Sequence, residues 1–165
     1  MASAIEILIV HPPFNMKKIL LSLAVSLACM TSNAQITEVE AVKSVLNSYK
    51  KSLESLDTTG IPKLFIKNAR VFEQAKDEGS IQNYLTHHLG PELQIFKTFS
   101  FSDDKVDVTV CNLRAFATET YLYTIVLAKD GSVIKSQGVA TSILIKTSDG
   151  WRIELTHSSF RKLKQ

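Results

Sequence analysis

Apolar residues first recur at helical spacing. Val39, Val42, Val45, Leu46, Tyr49 and Leu53 fall on one stripe and predict an amphipathic helix over 38–56. Thr37-Glu38-Val39-Glu40 has the form of a capping box in front of it, and Asp57-Thr58-Thr59-Gly60 stops it. Ile61 to Ile66, with Pro62 in a first turn, predicts a short second helix, and Ala69 to Glu73 a short strand. Asp77-Glu78-Gly79-Ser80 then opens a third helix, 81–89, which Gly90-Pro91 is expected to end. At about 100° per residue, Ile81, Tyr84, Leu85, His88 and Leu89 share one face, with His87 towards its edge.

From Leu93 the period changes to two. Strands are predicted over 93–101, 105–111, 114–127, 133–146 and 151–160, separated by short polar links that include two Asp-Gly pairs. Links this short predict an antiparallel meander, because parallel neighbours need a longer crossover. A straight strand over 114–127 would run about 46 Å, too long for a domain of this size, so the sheet must bend, with Gly138 a candidate kink. Helices followed by a curled sheet give an α+β fold, a half-cone with the N-terminal helices on its concave face. The space between sheet and helices is the default binding site.

The segment before residue 35 reads as an address. Lys17-Lys18 precedes the apolar run Ile19–Met30, with small residues at Ser32 and Ala34, the pattern of a secretory signal peptide over 16–34. Residues 1–15 read as a mis-assigned extension ahead of Met16, and 35–165 as a single domain released by cleavage between Ala34 and Gln35 into the periplasm or medium. Lipoprotein processing at Cys29 is the rival, weakened by the poor lipobox Ser26-Leu27-Ala28. Composition is that of a globular chain: 45% hydrophobic and 21% charged, with 19 basic and 16 acidic residues. No basic block points to nucleic acid, and nothing beyond the signal peptide points to a membrane. Cleavage would leave Cys111 as the one cysteine, read as a buried small hydrophobe.

The C-terminal run Asp149-Gly150-Trp151-Arg152-Ile153-Glu154-Leu155-Thr156-His157-Ser158-Ser159 resembles the ending of SnoaL-like members of the nuclear-transport-factor-2-like superfamily. Glu78 to Leu93 is similar to a segment of its secreted members, and the order of elements over 36–161 fits the same superfamily. The resemblance implies a cone-shaped α+β fold, sheet-mediated homodimers, and a last-strand histidine, His157, that points into the cavity near the helix at 81–89. It does not carry an activity over, because no aspartate among the long strands matches the isomerase type and Ser142 and Ser158 stand where the kinase-association branch has arginines.

The candidate ligand-binding residues are Tyr84, His88, Glu119, Tyr121, Trp151 and His157. His157 shares parity with Trp151, Ile153 and Leu155, and so is expected to face inward. Glu119 is a lone carboxylate on a face with Ala115, Ala117, Tyr121 and Tyr123; if that face is concave, burial raises its pKa, and if convex it belongs to an interface or to solvent. No dinucleotide, phosphate, zinc-protease, hydrolase or redox motif is present, and no cofactor is expected. A metal site from His88, His157 and Glu119 matches no known spacing, so none is expected either. The first reading is therefore a domain that binds a small apolar or aromatic, neutral or weakly acidic molecule, as a homodimer. The alternatives are an isomerase, dehydratase or cyclase moving a proton with His88 or His157 and Glu119 beside a tyrosine, and an assembly domain with a filled pocket.

Overall fold

A computed structural model describes residues 36–164 of the chain. The expected signal peptide, the extension before Met16, the Cys29 alternative and the cleavage point all lie outside the described residues. Helix α1 spans 36–54 and closes in a Schellman turn: the Leu56 amide donates to the Leu53 carbonyl and Asp57 to Ser52, both at 3.0 Å. Leu56 occupies the left-handed position usually given to glycine, with φ 55°. The apolar stripe of α1 is buried as expected, with Val42 and Leu46 almost fully enclosed. After a 3-10 turn at Ile61–Leu64 come β1 (Phe65–Glu73) and β2 (Lys76–Ser80).

Helix α2 covers 81–94 in three parts: α-helical Ile81–Tyr84, a π turn at Leu85–Leu89, and α-helical Gly90–Gln94. Strands β3 (Phe96–Cys111), β4 (Arg114–Leu127), β5 (Val133–Thr147) and β6 (Gly150–Lys162) complete one curved, unclosed sheet in the order β2-β1-β6-β5-β4-β3. The two helices pack on it, which is the expected α+β half-cone.

Several expectations need correction, among them the short helix over 61–66, which is a 3-10 turn at Ile61–Leu64 running straight into β1. The sheet is mixed, because β1 runs parallel to β6, and its second strand, β2, was read as the approach to a helix. Gly90-Pro91 does not end α2, since Pro91 falls in the first turn of the next α-helical part, where its missing N–H is no loss. Residues 93–95 consequently stay out of β3. The Ser102-Asp103-Asp104 link is not a turn: two residues oppose one across the β3–β4 pair, with Asp103 at φ 50°, so β3 continues through a bulge. Cys111 is exposed rather than buried, at the tip of the β3–β4 hairpin.

The core fills only one end of the cone. There Ala115 and Ala117 of β4, Leu144 of β5 and Ile153 of β6 meet α1 and α2 with almost no exposure. Trp151 also belongs here, buried and donating from Nε1 to Glu38 of α1 at 2.7 Å. Towards the other end the inward residues of β5 are Ser142, Ala140, Gly138 and Ser136, all small. A strand floored by such residues cannot fill the space that its neighbours enclose, and a hollow results.

Candidate functional site

The hollow is a cavity of about 530 Å³, within the range of small-molecule sites. Its aromatic wall is continuous. Phe99 stacks on Phe101 with ring centroids 4.8 Å apart, Phe101 meets Tyr121 edge-on at 5.2 Å, and Phe99 meets Tyr123 at 5.5 Å. Room for Tyr121 comes from Gly138 opposite: a Cβ there would lie 2.2 Å from Cε2 of the ring.

The inward face of β4 is thus the one carrying Glu119, which settles the choice that parity left open. Glu119 is buried, with Lys50 Nζ 2.9 Å from its Oε1. Lys50 also donates to Asp104, which the β3 bulge brings to it. Burial raises the pKa of Glu119, and the Lys50 contact only partly opposes this. Lys50 loses charge stability to burial, but hydrogen bonds to its two carboxylates more than restore it and hold its pKa above the usual lysine value. It is therefore a fixed cation, unsuited to nucleophilic work.

A second polar cluster surrounds His88. Its Nδ1 lies 2.9 Å from Oε1 of the buried Glu78, while Nε2 lies 3.2 Å from Glu92 and 3.4 Å from Glu73. Glu73 also accepts a 2.8 Å hydrogen bond from the Tyr84 hydroxyl. Burial pushes Glu78 up, but Lys76 and His88 outweigh it and hold that carboxyl below the ordinary range. His88 thus sits between Glu78 on its Nδ1 side and Glu73 and Glu92 on its Nε2 side, the latter two on the cavity lining. Burial raises the pKa of Tyr49 and Tyr84, with the Glu73 charge adding to it, so both phenols are neutral donors.

The π turn aims this cluster. The Gly90 amide bonds back to the Leu85 carbonyl, and a Cβ on Gly90 would sit 2.4 Å from that oxygen. One extra residue in the turn keeps Tyr84, Leu89 and Leu93 on the covered face with His88 beside them, while His87 points to solvent.

Four of the six sequence-predicted residues, Tyr84, His88, Glu119 and Tyr121, line this cavity. Two do not. Trp151 is a core residue under α1. His157 is exposed on the outer face, against Phe72, because β6 carries a bulge: Ile143 pairs with Leu155 but Leu144 with Ile153, so Glu154 is an extra residue. Beyond it the parity inverts, and Thr156, Ser158 and Phe160 take the cavity side. The metal set of His88, His157 and Glu119 is accordingly not assembled, and among the described residues no group of three or more His, Cys, Asp or Glu is placed to hold a metal ion.

Glu73 and Lys50 are among the cavity residues that the sequence candidates lacked. Glu73 shares a face with Ala69 and Val71 on β1, and Lys50 lies one helical turn after Leu46. Both signals were available as a charge at an apolar phase.

No curated protein matches the chain in sequence. Solved structures match its fold. An NTF2-like superfamily protein from Salmonella enterica serovar Typhimurium is 19% identical with a TM-score of 0.64, covering 82% of this chain and 94% of that one. A proposed ketosteroid isomerase from Shewanella frigidimarina is 24% identical at TM-score 0.62, covering 72% and 94%. A proposed scytalone dehydratase from Novosphingobium aromaticivorans is 15% identical at TM-score 0.67, covering 81% and 89%. At these identities the likeness is one of fold. Residues 42–161 match the SnoaL-like domain, and the chain therefore belongs to the SnoaL-like family.

Proposed function

We propose that this domain binds a small molecule with an aromatic or fused-ring body inside the cone. The observation that carries the reading is the open cavity, walled by stacked aromatic rings and floored by small residues. The same openness argues against a domain that serves only for assembly. Calorimetric titration with 2-naphthol tests it: saturable binding is expected for the wild type and none for Ala140→Phe, which fills the floor, while the circular dichroism of the two stays alike. Absence of saturation in the wild type, or equal binding by the filled variant, would overturn the reading.

A second reading is favoured by one contact set. Glu73 accepts from the Tyr84 hydroxyl and lies 3.4 Å from His88 Nε2, an arrangement in which Glu73 or His88 can exchange a proton with a carbon next to a carbonyl once the Tyr84 hydroxyl turns from Glu73 to donate to the substrate oxygen. Structural neighbours described as isomerase and dehydratase are compatible with it. The proton-transfer pair would then be His88 with Glu73, since Glu119 is engaged by Lys50. His88→Gln separates the readings, because it would abolish solvent-deuterium exchange into a bound ketone without abolishing binding.

Export through cleavage at Ala34-Gln35 is part of the proposal, tested by the intact mass of secreted protein. So is a homodimer through the outer sheet face, where Phe116 and Val139 are exposed. Light scattering at tens of micromolar concentration tests that.

A further inference from the structure

The charge around the cavity is not balanced by the chain itself. Around His88 stand three carboxylates, Glu73, Glu78 and Glu92, against at most two positive charges, those of Lys76 and of a protonated His88. At the other cluster Lys50 faces two carboxylates, Asp104 and Glu119. Lys162, the remaining lysine on the cavity lining, sits at the exposed end of β6. On the lining itself three carboxylates, Glu73, Glu92 and Glu119, stand against Lys50 and Lys162, a small excess of negative charge beside phenol and phenyl rings.

We infer that the cavity selects a cationic ligand, an aromatic or fused-ring amine whose ammonium group lies among the tyrosine rings within reach of Glu73. This rests on the binding reading above and names its ligand class, departing from the neutral or weakly acidic molecule expected from sequence. Three features of the molecule carry it. The aromatic wall offers π faces, the surface on which a cation is held by ring quadrupoles. Glu73 supplies the opposing charge from the end of β1, with one oxygen bonded to Tyr84 and, among the described residues, no lysine or arginine in ion-pair contact with it; the His88 imidazole lies 3.4 Å away. Lys50, the buried cation that could have received an anionic ligand, is already held between two carboxylates. An anion entering here would meet Glu73 and Glu92, with Lys50 already engaged and Lys162 at the exposed end of β6. The raised pKa values of Tyr49, Tyr84 and Tyr121, each with Glu73 among the causes after burial, report the same negative field at the rings.

Calorimetric titration of the full domain with three near-isosteric probes tests the inference: naphthylmethylammonium, naphthylmethanol and naphthoate. The cation should bind about tenfold tighter than the alcohol, and naphthoate weakest. Glu73→Gln, which can still accept from Tyr84, should bring cation and alcohol to within about threefold of each other. Glu92→Gln, at the half-exposed edge, should narrow the preference less, and serves if the Glu73 variant folds poorly. Alcohol or naphthoate binding as tightly as the cation in the wild type would overturn the cationic class and leave the binding reading standing. No saturable binding by any of the three would overturn both.

Discussion

The two polar clusters of the cavity use the same residue types for different ends. Lys50, Glu119 and Asp104 form a closed set that ties α1 to β4 and to the β3 bulge, with Lys50 and Glu119 both buried. His88, Glu73 and Glu92 form an open set: the imidazole is a quarter exposed and Glu92 about half exposed. A closed set responds to substitution through stability, because removing one member strands a buried charge. An open set can exchange its proton or partner with a guest, and should respond through binding. Burial and satisfaction of the partners, not residue type, separate a pin from a site.

Breaking the closed set gives the largest expected effect. Lys50→Met should cost about 3 kcal/mol, near the low end for an uncompensated buried carboxylate because Asp104 is one-third exposed. Chemical denaturation of the single variant and of Lys50→Met with Glu119→Gln measures it. Recovery of most of the loss in the double variant is expected, and a single variant as stable as the wild type would show that the triad is not a pin.

Gly90→Ala comes next, at about 2 kcal/mol, because its Cβ meets a backbone oxygen that cannot swing aside. It should also weaken naphthylmethylammonium binding, since the π turn that aims His88 must rearrange. Gly138→Ala, whose clash is with the Tyr121 ring, should instead push that ring into the cavity, costing about 1 kcal/mol and much of the affinity. Equal stability losses in the two glycine variants would contradict the distinction between backbone and ring.

How much could be read in advance follows the regularity of each strand. β4 keeps strict alternation from Arg114 to Leu127, and its inward residues, Glu119 and Tyr121 among them, follow from parity once one face is known. β6 does not. One residue, Glu154, inverts its pattern, and nothing local marks it, since Glu is at home on an ordinary outward position. That single bulge moved His157 out of the site and Thr156, Ser158 and Phe160 into it. The π turn in α2 is similar: Gly90-Pro91 is a sound stop signal, and only the packing of Leu89 and Leu93 keeps the helix going. Asp104 was hidden because two aspartates in a row read as a turn, whereas Lys50 holds one of them in a bulge. The parallel β1–β6 pairing joins the two ends of the domain, which no short-range pattern encodes.

Smaller effects sharpen the assignment of faces. His157→Ala should leave naphthylmethylammonium affinity within about twofold and stability within about 0.5 kcal/mol, as befits an exposed side chain on the outer sheet face. Thr156→Val, at the neighbouring inward position, removes the partner of the Ser142 hydroxyl, 3.0 Å away, and should cost about 1 kcal/mol. A larger loss of affinity in the histidine variant than in the threonine variant would restore the original parity.

The subtlest difference is in pH dependence, and the two clusters should show it with opposite sign. Burial raises the Glu119 carboxyl, so the folded chain keeps that proton to higher pH than the unfolded chain. Its contribution is fully present below the unfolded value and is lost as pH rises through the folded one. Glu78 is the reverse: although burial pushes it up, Lys76 and His88 hold it low, so its contribution is present above the ordinary carboxylate range and is lost as pH falls through the folded value. Denaturation across the acidic range, taken as the difference between wild type and each variant, isolates the two. Wild type minus Glu119→Gln should slope downward with pH just above the ordinary carboxylate range. Wild type minus Glu78→Gln should slope upward just below it. Slopes of one sign would mean that Lys50 controls Glu119 as fully as Lys76 and His88 control Glu78, and the contrast in what burial does to the two carboxylates would fail.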